Sequence, residues 1–199
     1  MADQNTGPAA SYSAGYGAVS QIVHWTTAPL ILGLIAIGLY SKGLPLDTPW
    51  RDQVLMVHKS FGLLAILLAA FQLFWTHYVQ SGPGHHGMAK WEVLAARTGH
   101  TLLYVAMLLM PLSGVMMSAG SGRKVGFFNL VNLPQLLPLD PTLSGREQYY
   151  YKLGKFLHDD VFQWMLYGAL ALHLAGIAKH HFIDGNRQFI YRMWGWTKR

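Results

Sequence analysis

The stretch His158–His173, HDDVFQWMLYGALALH, sets one imidazole at each end of an apolar run. An apolar run of this kind reads as part of a membrane-spanning helix, and an ionisable ring inside such a helix is costly unless it faces the bundle interior and finds a partner. At 1.5 Å per residue the fifteen steps between the rings cover about 22 Å, and at 100° per residue they return to within about 60° of the starting direction. One helix therefore offers two imidazoles on roughly one face, at two depths.

The rest of the chain supplies a setting for that helix. Only 12% of the 199 residues are charged while 52% are hydrophobic, and the mean hydropathy is +0.22. This is about half the charge of an ordinary soluble domain, too little to coat a globule, and a bilayer is the natural solvent. Four apolar runs, near 22–40, 55–78, 93–118 and 156–178, are each about long enough to cross ~30 Å of hydrocarbon. Pro111 falls inside the third and predicts a kink more than a break. The reading is an all-α, up-down-up-down transmembrane four-helix bundle over 21–195. A flexible tail (1–20) precedes it and a basic end (196–199) follows. The longest connection, 119–155, joins helices three and four, and its GFFNLVNLPQLLPL (126–139) reads as a segment lying in the interface.

Several chemistries are excluded. A formal charge of +6 without a dense Lys/Arg tract gives no nucleic-acid surface, and the absence of cysteine removes disulfides, thiolate metal sites and iron–sulfur ligation. Histidine, of which there are ten, is the remaining strong metal ligand. Seven Lys/Arg on the side of the termini against eight on the other leave orientation undecided by charge.

Taken through four crossings, His24 shares the depth of His173, and His58 that of His158. Two imidazole pairs from different helices at two heights are what two b-type haems need, and stacked across a bilayer they make an electron wire. The plainer reading of any one histidine, a polar helix end bonded to a carbonyl or headgroup, does not account for four in matched layers. Gly62, Gly154 and Gly176 lie three or four residues from these rings, where glycine admits either a flat macrocycle or a neighbouring helix. His100 and His180 are candidates for a quinone contact; His77, His85 and His86 carry no role.

With that pattern in place, IVHW (22–25), MVHKSFG (56–62), TGHTLLY (98–104), MPLSGVMMS (110–118), KFLH (155–158), LALHLAGIAKHHF (170–182) and FIYRMWG (189–195) together resemble the bacterial cytochrome b561 family of small di-haem membrane cytochromes. The resemblance implies two haem b groups with His24, His58, His158 and His173 as axial ligands. It further implies an inner-membrane location with both termini cytoplasmic, and electron exchange with ubiquinone, with His100 and His180 near the quinone. Some members are similar to superoxide oxidases, and Lys59, Arg123, Lys124, Arg146, Lys152 and Lys155 would draw a small anion to the outer face. Lys59 and Arg97 are candidate propionate contacts. The chain departs from the pattern twice. Gln72 and Thr76 stand where many members carry arginines, and one extra residue separates His158 from His173, which a local bulge would absorb. Three functions remain open: an oxidoreductase linking an outer donor to quinone, a membrane-anchor cytochrome serving a larger dehydrogenase or hydrogenase as redox partner, and a haem-free bundle.

Overall fold

The computed structural model describes residues 16–79, 88–185 and 193–194. The tail to residue 15, the glycine-rich turn with His85 and His86, and the basic end lie outside them. Four helices are long and apolar enough to span a membrane: α1 (Ala18–Gly43), α2 (Arg51–Val79), α3 (Lys90–Gly120) and α4 (Tyr149–Ile183). α1 packs on α2, α2 on α3 and α3 on α4, an up-down-up-down order in which chain neighbours are also neighbours in space.

Packing is the reverse of that in a water-soluble bundle. Ala65, Ala69, Ala106, Ala169, Ser60 and Ser113 are buried, whereas Ile22, Leu32, Leu67, Trp164 and Phe182 face outward. With lipid outside, large apolar side chains gain nothing by turning inward, and small ones let helix backbones approach. The α3–α4 crossing is the closest such approach. A Cβ on Gly154 would stand 2.5 Å from the Met117 amide nitrogen, and one on Gly120 would stand 2.6 Å from that of Tyr151. Gly154 is thus a helix-packing residue. Gly62 and Gly176, in contrast, would direct a Cβ at nothing within 4 Å.

Helix ends follow local chemistry. The Glu92 carboxylate accepts the Ala89 N–H (2.8 Å) and caps the start of α3. Gly122, at φ +72°, lets Arg123 N–H reach back to the Ser118 carbonyl and close its end. α3 runs unbroken through Pro111, and α1 through Pro29. α4 contains a π turn at Leu157–Phe162. This wide turn absorbs one residue, so His158 and His173 stand as fourteen α-helical steps would place them, about 40° apart in direction. The bulge suggested by the extra residue is present.

The 121–148 connection departs from an all-helical description. Gly126–Phe127 (β1) and Val131–Asn132 (β2) pair antiparallel around Phe128 and Asn129, both at positive φ (49° and 57°). Beyond this hairpin the buried Gln148 side chain bonds Asp140 and Leu143 backbone groups and organises the chain into α4.

Candidate functional site

Ser60, two residues beyond His58 and one turn beyond Met56, ties the hairpin to α2. Its hydroxyl donates to the Met56 carbonyl and accepts the Phe128 N–H, each at 2.8 Å. Phe61 and Phe128 rings meet edge to face at 5.4 Å. The first imidazole pair lies toward this end of the bundle. His58 and His158 approach diagonally across the bundle, ring centroids 6.3 Å apart. The His158 Nδ1–H donates to the Met110 carbonyl at 2.8 Å, with the Ser113 hydroxyl at 3.2 Å. A carbonyl can only accept, so the proton sits on Nδ1 and Nε2 keeps its lone pair for a metal. His58 Nδ1 is buried without a hydrogen-bond partner.

The second pair lies toward the chain termini. His24 of α1 and His173 of α4 have centroids 6.3 Å apart; at the other end of α1, Lys42 stands 3.9 Å from Asp159 of α4. His100 joins this layer, its ring 5.2 Å from His173 and its Nδ1 bonded to the Ala96 carbonyl at 2.7 Å.

Three helices repeat a facing position every fourteen residues, four α turns. At the hairpin end the His58 ring lies against Gly38 and the His158 ring against Gly114, with Cε1 3.1 and 3.2 Å from the positions a Cβ would take. Fourteen residues toward the terminal end, Gly38 gives way to His24, Gly114 to His100 and His58 to Gln72. The His100–His173 contact repeats the Gly114–His158 one.

The other candidate side chains are placed differently. Lys59 donates to the Lys124 carbonyl at 3.4 Å, on the hairpin side, and Arg97 is exposed one turn before His100. His180 is buried and donates from Nδ1 to Asp184 Oδ2 at 2.8 Å, while Lys179 bridges Asp184 and Glu92. Among the outer cations, Lys155 is paired with Asp159 at 2.5 Å. Sequence reasoning missed the Met110 carbonyl and Ser113 that hold His158, because partners 45 and 48 residues away carry no local signal. The i,i+4 spacing of His180 and Asp184 was a signal for the other contact.

The family model for prokaryotic cytochrome b561 matches residues 15–196. The chain belongs to this family. It is similar to cytochrome b561 homolog 2 of Escherichia coli (strain K12), 26% identical over 170 residues that cover 85% of this chain and 86% of that protein. This b561-family protein is therefore a membrane electron-transfer protein of a class that uses b-type haem. Its histidines fit such a group. Two metal–imidazole bonds of about 2 Å, with about 1 Å from each nitrogen to its ring centre, set centroids roughly 6 Å apart, which is the separation in both pairs.

Proposed function

We propose that this cytochrome carries two b haems, one held by His58 and His158 and the other by His24 and His173, and moves single electrons between a donor at the hairpin face and the quinone pool. The equal 6.3 Å separations of two imidazole pairs at opposite ends of one bundle carry the reading. Bis-imidazole haem supplies reversible one-electron storage without an open position for oxygen. The protein holds the ligands in register. Met110 and Ser113 fix the His158 tautomer.

Superoxide is the donor proposed for the outer face. It loses one electron and leaves as dioxygen, and Lys59, Arg123 and Lys124 gather around the hairpin to attract the anion. Ubiquinone, taking two electrons and two protons, is the acceptor proposed at the terminal face, near His100 and His180. Both termini are then cytoplasmic and the membrane is the bacterial inner one. Haem stoichiometry with a reduced-minus-oxidised spectrum tests the reading. The expected result is two low-spin b haems per chain, with quinone reduction by the isolated protein when superoxide is generated. One haem, or none, rejects it.

A further inference from the structure

Among the described residues, six buried side-chain atoms lack a hydrogen-bond partner: Thr27 Oγ1, Arg51 Nε, His58 Nδ1, Gln72 Oε1, Trp75 Nε1 and His181 Nδ1. A buried polar atom left unpaired costs about 1–3 kcal/mol, and each calls for an explanation. Gln72 has one in the register of the bundle.

The contact of His58 with Gly38 fixes how α1 and α2 run past one another. Fourteen residues along each helix in opposite senses, Gln72 of α2 comes level with His24 of α1. Four α turns also return Gln72 to within about 40° of the direction of His58, so it faces the same interior. The layers then correspond: where α2 presents a histidine to a glycine of α1 at one end, it presents a glutamine to a histidine of α1 at the other.

We infer that Gln72 is a positioning residue for His24, its side-chain carbonyl accepting the His24 Nδ1–H and turning Nε2 toward the iron. The polarity of the pair is right. The unpaired Gln72 atom is an acceptor, and an imidazole that ligates through Nε2 must carry its proton on Nδ1. No hydrogen bond fixes the His24 ring among the described residues, whereas His158 has the Met110 carbonyl in that role. A neutral amide lends the ring less electron density than a carboxylate and more than an alkyl group, so Gln72 sets the potential of the terminal-side haem through its axial ligand.

This inference rests on His24 being an axial ligand, and the experiment separates the two claims. Purified full-length protein, loaded with haem, is titrated spectroelectrochemically as wild type, Gln72→Leu, Gln72→Glu and His24→Ala. Loss of the acceptor makes the ring a poorer donor to ferric iron, so Gln72→Leu raises one midpoint potential and leaves the other in place. Gln72→Glu lowers that same midpoint, and reports alone if the leucine variant fails to fold. Two bound haems with both midpoints unmoved, or shifts of the opposite sign, overturn the role of Gln72. His24→Ala retaining both haems overturns the axial assignment itself and this role with it.

Discussion

At the scale of single residues, the two rings of the His58–His158 pair are held by different neighbours. His158 is held by the Met110 carbonyl and Ser113, and His58 leans on Gly38. Neither contact involves the other layer. Substituting His58 or His158 by alanine is therefore expected to remove one haem per chain and leave the second, as read from the pyridine haemochrome ratio; loss of both or of neither would reject the pairing. His100 contacts His173 without completing a matched pair at 6.3 Å. His100→Ala should keep two haems but slow quinone reduction about a hundredfold, the low end of what a positioned acid–base group contributes, and unchanged turnover would remove His100 from that step. The histidines themselves stood out in the sequence, since imidazoles in apolar runs are costly and rise per residue gives their depth. Their partners did not: Met110 contributes only its backbone carbonyl, and Gln72 read as a missing arginine.

Single elements make the register work. The π turn at Leu157–Phe162 takes up the residue that would otherwise rotate His173 by about 100° relative to His158. Deleting Asp160, which is exposed within that turn, should convert the segment to plain α-helix and retain two haems. Inserting one alanine at the same place should cost a haem. Equal haem content in the two variants would mean that the turn does not set the register. At the α3–α4 crossing Gly154 admits no side chain beside the Met117 backbone. Gly154→Ala is expected to lower stability by about 1–3 kcal/mol, as overpacking does, measured by thermal unfolding in detergent. Here the sequence left two uses of glycine equally open. The packing use holds for Gly154, while a Cβ on Gly62 or Gly176 would meet nothing within 4 Å.

For the whole molecule, the terminal end of the bundle is tied by Lys179, which joins Glu92 at the start of α3 to Asp184 just past α4. The hydrogen bond from Lys179, with a smaller share from His180, holds the Asp184 carboxyl below its ordinary value of 3.8. A depressed folded-state value means that this tie is fully formed above pH 3.8 and is lost as pH falls through the lower folded value. Acid unfolding should therefore be steeper in wild type than in Asp184→Asn below that pH, followed by circular dichroism; identical profiles would show that Asp184 adds nothing to cohesion.

The sequence by itself determined the four crossings, the bilayer as solvent and the heights at which histidines sit, because hydropathy and helical rise are summed along one chain. It pointed as well to the irregularity in α4, since an extra residue between two rings has to go somewhere. Only the tertiary structure decided that His100 enters the His24–His173 layer, that the Met110 carbonyl and Ser113 hold His158, and that a short hairpin is tied to α2 through Ser60. Those outcomes depend on the rotation and sliding of one helix against another, which close contacts between backbones settle and no periodicity within a single segment records.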